Sequence, residues 1–285
     1  MTAKIAYQGE PGSNSHIACR KARPDHGPLS CRTFEDVFAA VQSGHAELAM
    51  IPVENSIAGR VTDIHHLLPE SNLRMQAEHF QPIRFHLMAR SGVALESVRE
   101  AHSHVMALGQ CRSFLRQRGI TAVTAVDTAG AAREVSESPR TDIAAIAPKL
   151  AAEVYGLNIL AQNIEDHSHN TTRFVVMGRE LVPVVRTSVE QSFVTAFLFR
   201  VRNTSAALYK AMGGFATNAV NMTKLESYMV DGSFTATQFY AEVDGHPDDR
   251  NVRLALEELE FFTSQLDIIG VYLAHPYRRS GRHEE

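Results

Sequence analysis

The sequence predicts a two-lobed α/β chain followed by a smaller βαββαβ domain, on three observations. Strand-like and helix-like runs alternate from Lys4 to about Met177, as a largely parallel sheet requires. A Val- and Pro-containing break, 181–190 (LVPVVRTSVE), interrupts that alternation. Beyond it, six elements follow in the order strand, helix, strand, strand, helix, strand.

Each element has its own local reason. Lys4–Gln8 is a short apolar-centred strand that runs into the Gly-rich loop 9–15, and His16–Lys21 starts a helix behind it. Thr33 and Asp36 form a capping-box pair, and Phe34, Val37, Phe38 and Val41 recur at helical spacing, with Gly44 closing that helix. Glu47–Val53 is a buried strand ending in Glu54-Asn55-Ser56. A second lobe begins near Pro82 with strand Ile83–Ala89. It continues through helix Gly109–Arg118, strand Thr121–Val126, a helix from Ala129, strand Ile143–Ala147 and a helix through Leu150–Tyr155. Strand Asn170–Met177 then returns to the first lobe.

The expected catalytic part is therefore 1–180, with lobe one at about 1–80 and 160–180 and lobe two at about 81–159. Open parallel sheets place ligands at strand C-termini, so the cleft between the lobes is the expected site. The second domain, 192–275, reads strand Ser192–Val201, helix Ala206–Phe215, strand Val220–Val230, strand Ser233–Val243, helix Asn251–Gln265 and strand Ile268–Leu273. Asp231-Gly232 between its middle strands is a hairpin signal. The charged tail 278–285 is expected to be mobile.

Composition narrows the function. Of 285 residues, 44% are hydrophobic and 21% charged, the balance of an ordinary globular protein. A net charge of −4 favours neither nucleic acid nor an anionic membrane as partner. The N-terminal MTAKIAYQGEPG lacks a charged-then-apolar signal pattern, and no apolar run approaches membrane length. Cys19, Cys31 and Cys111 have no CxxC spacing and read as reduced thiols of a cytoplasmic protein, neither disulfides nor zinc ligands.

The most informative stretch is Asn170-Thr171-Thr172-Arg173-Phe174, which leads into the apolar run Val175-Val176-Met177. A hydroxyl, a guanidinium and an aromatic ring are expected together at the mouth of a buried strand, where they can hold an anion and donate a proton. An isolated Arg or Thr there would read as surface charge or β-propensity, but the crowding of donors argues for a site. The loop 9–15, with Ser13 and Ser15, reads equally as an anion cradle at a helix N-terminus or as a turn. The loop 52–59 carries Asn55 and Ser56 at a strand end, with a plain turn as its other reading. Glu54 reads as an acid or base if buried, or as a capping or salt-bridge residue. His104 reads as a cap or packing residue before a catalyst, and Gln110 flanks the same helix. No His/Cys/carboxylate spacing suits a metal, and no G-x-S-x-G elbow supports a serine hydrolase.

The blocks GEPGSNSHIA, PVENSIAGRV, SHVMALGQCRSFL, DTAGAA, AAIAPKLAAEVYGL and NTTRFVV, in this order, resemble prephenate dehydratase. The last domain, with NTSAALYKAMGGFATNAVNMTKLES, is similar to the amino-acid-sensing ACT domain of that family. The likeness spans nearly the whole chain. With no chorismate mutase segment before Lys4, it resembles the monofunctional form. The resemblance implies a periplasmic-binding-protein-like pair of lobes plus a ferredoxin-like ACT domain. It implies conversion of prephenate to phenylpyruvate with loss of carbon dioxide and water, without cofactor or metal, and feedback by phenylalanine in a homodimer or homotetramer.

By the same resemblance Thr172 is the proton donor; Arg173, from the geometry of its guanidinium, is expected to pair with a substrate carboxylate. Phe174 walls the ring, while Ser13, Ser15, Asn55, Ser56, Asn170 and Thr171 meet the remaining oxygens. The effector segments are the turn from Asn203 through Ala206, Ala207 and Leu208, and the facing strand with Asn221, Met222, Glu226 and Ser227. Two departures stand out. The family's Gly-Ala-Leu is Ala206-Ala207-Leu208 here, and its Glu-Ser-Arg-Pro is Glu226-Ser227-Tyr228-Met229. An arogenate dehydratase and a non-catalytic small-molecule sensor are the alternative readings.

Overall fold

Strand and helix alternate from the first residues, as the apolar patterning requires. β1 (Lys4–Gln8), α1 (Asn14–Ala22), β2 (Gly27–Cys31), α2 (Phe34–Gln42), β3 (Leu48–Asn55) and the two-residue β4 (Gly59–Arg60) follow in order. β1 lies parallel to β2 on one side and β3 on the other. Ile5, Ala6, Ala49, Met50 and Ile51 in these strands are fully buried. β2 was not expected: its Gly-Pro-Leu-Ser-Cys alternates half-buried with exposed, a Pro-bearing edge strand with no apolar run.

The capping box forms as predicted. Thr33 Oγ1 accepts the Asp36 N–H, and the Asp36 carboxylate accepts the Thr33 N–H. Ser43, not Gly44, is the C-cap of α2; Gly44 follows it with φ +78°.

The computed structural model describes residues 3–61, 64, 67–188, 190–202, 204–229 and 236–280. Asn203, the Asp231-Gly232 turn, Val230, the first residues of the strand expected from Ser233 and the tail beyond Ser280 lie outside them. The chain forms two units, Met1–Thr62 with His79–Phe174, and Asp63–Glu78 with Val175–Glu285. α3 (Leu67–Glu70) and the start of β5 (Arg74–Pro82) belong to the second unit. β5 has no sequence signature, because Arg-Met-Gln-Ala-Glu-His-Phe-Gln-Pro carries too few apolar residues to show a period.

Lobe two contributes β6 (His86–Ala89), β7 (Glu100–Ser103), α4 (Val105–Gln110), α5 (Arg112–Arg118) and β8 (Thr121–Thr124). α6 (Thr128–Glu137), β9 (Ile143–Ala147), α7 (Lys149–Tyr155) and β10 (Asn158–Ala161) complete it. Its sheet has the order β10-β6-β9-β7-β8. β9 is buried at every residue. Ala144 and Ile146 pack with Leu87, Leu108 and Leu115 on one face, while Ala145 and Ala147 pack with Met88, Ala132 and Ala151 on the other. Covering on both faces is why this strand reads as an unbroken apolar run.

The helix expected over Gly109–Arg118 starts earlier and is broken at Cys111. His104 caps α4, its Nδ1 accepting from the Met106 N–H at 3.3 Å. β11 (Thr171–Gly178) then leaves the first unit.

The second unit adds β12 (Phe193–Val201), α8 (Ala207–Thr217), β13 (Met222–Met229), β14 (Ala236–Asp244), α9 (Arg250–Phe262), β15 (Thr263–Leu273) and α10 (Tyr277–Ser280). The βαββαβ order is as expected, with strands in the order β13-β14-β12-β15. Phe197, Phe199 and Phe239 from the sheet pack with Phe215 of α8 and Leu256 and Leu259 of α9. The helix predicted to Gln265 ends at Phe262, because the buried Thr263 already pairs with Val201.

The other sheet face buries a polar network. Arg278 donates to Glu78 at 2.7 and 2.8 Å and to Glu242 at 2.8 Å, and Tyr240 also bonds Glu242. The tail expected to be mobile from Arg278 is therefore fixed at its first residue.

Candidate active site

The end of β3 and the start of β11 are neighbours in the first unit, and the Ser56 N–H donates to the Thr171 carbonyl at 2.9 Å. Successive side chains of a strand point to opposite faces. On one face Asn55 meets Thr172: its Nδ2 donates to Thr172 Oγ1 at 2.9 Å and to Asn170 Oδ1 at 2.7 Å. Asn55 Oδ1 accepts from the Ile57 and Ala58 N–H groups at 3.0 and 2.8 Å, so the same amide holds the turn after β3. Asn170, 1% exposed, donates through Nδ2 to Gln110 Oε1 at 2.6 Å. A polar chain results, Gln110 to Asn170 to Asn55 to Thr172. The Thr172 oxygen accepts within it, which leaves the hydroxyl proton to donate outward. In the sequence Gln110 reads only as a helix neighbour; its tie to Asn170 spans 60 residues and leaves no local pattern.

The opposite face carries Arg173. Arg173 is 4% exposed and its Nη1 donates to Glu54 Oε1 at 2.9 Å. Strand alternation thus separates the guanidinium from the Thr172 hydroxyl, and Glu54 takes the ion-pair role. Phe174, 2% exposed, packs into the core. Ser56 and Thr171 act as a staple: Ser56 Oγ accepts the Thr171 N–H and donates to the His169 carbonyl, both at 3.0 Å.

The Gly-rich loop is built against lobe two. Ser13 is the N-cap of α1 and accepts from the His16 N–H; Ser15 is half-buried in the first turn. The Gly12 N–H donates to His16 Nδ1 at 3.0 Å, which assigns the ring proton to Nε2. Burial, then the nearby Arg20 charge, holds the His16 imidazole below its ordinary range. Gly12 has φ +93°, and a Cβ there would stand 2.7 Å from the Ala151 Cα of α7. Glu10 reaches Arg133 of α6 at 3.7 Å, a second link between the loop and lobe two. Gly12→Ala is expected to cost about 1–3 kcal/mol from overpacking and left-handed strain. A denaturant midpoint unchanged from wild type would contradict this close approach.

The effector candidates lie in the second unit. Ala206, exposed before α8, has φ 60° and ψ 24°, left-handed values that favour glycine. It stands where the resemblance expects Gly, so the conformation is retained while the residue is not. Ala206→Gly is expected to raise stability by up to about 1 kcal/mol, the lost strain offset in part by a freer unfolded chain. Thermal unfolding of the pair of proteins checks the sign. Ala207 and Leu208 are half-buried at the start of α8. Asn221 donates to Asp244 at 2.7 Å, Met222 opens β13, Glu226 pairs with Lys224 at 3.0 Å, and Ser227 is exposed.

Among the described residues no group of three or more His, Cys, Asp or Glu is placed to hold a metal ion, and no helix is long and apolar enough to cross a membrane.

Known proteins match along the same lines. The sequence model of the family described as prephenate dehydratase matches residues 5–181. A bifunctional N-acyl-homoserine lactone acylase/prephenate dehydratase of Komagataeibacter europaeus is 50% identical over 96% of this chain and 97% of its own. Arogenate dehydratase/prephenate dehydratase 1 of Arabidopsis thaliana is 34% identical over 94% of this chain and 71% of its own. Among solved structures, prephenate dehydratase from Arthrobacter aurescens in complex with L-Phe superposes with TM-score 0.85 at 27% identity, over 95% of this chain and 90% of that one. A structure described as GqqA, a novel type of quorum quenching acylases, gives TM-score 0.90 at 49% identity, over 96% and 99%. A family match across the two-lobed part, with relatives similar along nearly the full length, means that this chain belongs to the prephenate dehydratase family, and is a lyase.

Proposed function

We propose that this protein converts prephenate to phenylpyruvate, on the way to L-phenylalanine, at a cofactor-free site centred on Thr172. The observation that carries the reading is the polar chain from Gln110 to Thr172. In the reaction the bond from the ring to its carboxylate breaks and carbon dioxide leaves. The freed electron pair aromatises the ring as the para C–O bond breaks. Hydroxide is a poor leaving group, so a donor at that oxygen accelerates the step by about 10²–10⁴-fold. A Thr hydroxyl is a weak acid and acts chiefly as a hydrogen-bond donor to the developing charge. By donating to Thr172 Oγ1, Asn55 polarises that hydroxyl and aims its proton outward. Ser13 and Ser15 at the α1 N-terminus supply donors for the pyruvyl carboxylate. Asn170, Gln110 and the Glu54–Arg173 pair position these groups.

We assign residues 1–180 as the catalytic part and 192–275 as an ACT regulatory domain. L-Phenylalanine binds it between paired copies, in a cytoplasmic homodimer or homotetramer, at Ala206–Leu208, Asn221, Met222, Glu226 and Ser227. The βαββαβ order and the L-Phe-bound relative support this assignment. Coupling requires that phenylalanine bind with different affinity when the active site is occupied, since linkage is reciprocal. Equal affinities would refute it.

Two further activities have a specific reason. Relatives named arogenate dehydratase make arogenate the rival substrate, and turnover of both substrates side by side decides between them. The 50% identical relative named an acylase as well as a dehydratase motivates a second reading. It is tested by release of homoserine lactone from an N-acyl-homoserine lactone.

A further inference from the structure

A groove of about 600 Å³ lies between α1 and α7, bordered by the segment 81–86. It gathers Arg20, Lys21, Arg84 and Lys149, against the single carboxylate Glu153, in a chain whose net charge is −4. Arg84 is matched: its Nε lies 3.5 Å from the buried Glu165, and its Nη1 donates to the Ser168 carbonyl at 2.6 Å. Arg20, Lys21 and Lys149 have no ion pair among the described residues. With Glu153 set against one of these three, two positive charges remain.

The groove also has a built interior. Gln81 is 4% exposed, and its Nε2 donates to the Pro82 carbonyl at 2.7 Å. That bond fixes the amide orientation and leaves Oε1 buried without a partner. A buried acceptor of this kind is costly unless a donor reaches it. Ile17, Pro82 and Leu150 add apolar surface.

We propose that this groove binds a small dianion that also carries a hydroxyl, a hydroxylated dicarboxylate or a phosphate monoester. Arg20 and Lys21 take one charge from lobe one, Lys149 takes the other from lobe two, and the ligand hydroxyl donates to Gln81 Oε1. None of these residues belongs to the Gln110–Thr172 chain. A ligand held by α1 and α7 together favours the lobe spacing in which both reach it.

Titration calorimetry on the full chain at constant ionic strength tests this, with malate and glycerol 3-phosphate as separate arms and potassium chloride as control. Saturable binding of either is expected at up to about 10 mM, and the arm that binds tells carboxylate from phosphate. Lys149→Gln and Arg20→Gln are each expected to weaken binding about tenfold, with prephenate turnover and circular dichroism unchanged. Succinate, which lacks the hydroxyl, is expected to bind more weakly than malate if the carboxylate arm is the one that binds. Absence of saturable heat in both arms overturns the proposal. So does binding that survives Lys149→Gln but is lost in Asn55→Ala, which would put the anion in the Thr172 cleft.

Discussion

Thr172→Ala is expected to lower prephenate turnover about 10²–10⁴-fold while the folded state persists. That loss corresponds to roughly 3–5 kcal/mol of barrier. Stability should change by only about 0.5–1.5 kcal/mol, because the Asn55 amide keeps its other partners. Asn55 Nδ2 still donates to Asn170 Oδ1 at 2.7 Å and lies 3.3 Å from the Thr171 carbonyl. The two readouts therefore separate chemistry from structure. Thr172→Ser retains the hydroxyl and is expected to recover much of the rate, whereas Thr172→Val retains the shape and should not. Turnover unchanged in the Ala variant would remove Thr172 from the mechanism.

Arg278→Ala is expected to destabilise the second unit by about 3–5 kcal/mol, the largest stability effect of any substitution considered. The guanidinium bridges Glu78 and Glu242, whose side chains are 0% and 1% exposed. Removing it takes a guanidinium away from two interior carboxylates, with the Tyr240 hydroxyl and the His275 N–H among the donors that remain. Arg278→Lys keeps the charge but not the forked geometry, and is expected to lose less. Urea unfolding, followed by a probe in the βαββαβ domain, reads the difference. A midpoint equal to wild type would mean that the network contributes nothing.

Much of this fold was legible because its central strands and amphipathic helices carry strong periods. β1, β9 and α2 lie within a residue or so of where their apolar spacing puts them. β2, β5, β7 and β10 were not legible, for a common physical reason. They are short or polar, and their burial comes from neighbours distant in sequence: Glu100-Ala-His-Ser becomes β7 only because β8 and β9 flank it. The helix predicted to Gln265 failed because the pairing of Thr263 with Val201 outweighed local helix preference.

The site was half legible. The two segments singled out by their donors, 170–174 and the loop at Asn55, are ones that the fold brings together. What local sequence could not show was which side chains share a face. Period-two alternation pairs Thr172 with Asn55 and Arg173 with Glu54, dividing a triplet that looked like one cluster. Gln110 and Arg278 act through partners far away in the chain, and only the folded chain brings those together.

The most direct test of the central claim is the rate of phenylpyruvate appearance from prephenate. It uses the purified chain without added metal or nucleotide, corrected by an enzyme-free control for spontaneous breakdown. Rapid turnover that collapses toward the control in Thr172→Ala is expected. A wild-type rate no higher than the control would contradict it, and would move arogenate, and then a purely ligand-sensing role, to the front.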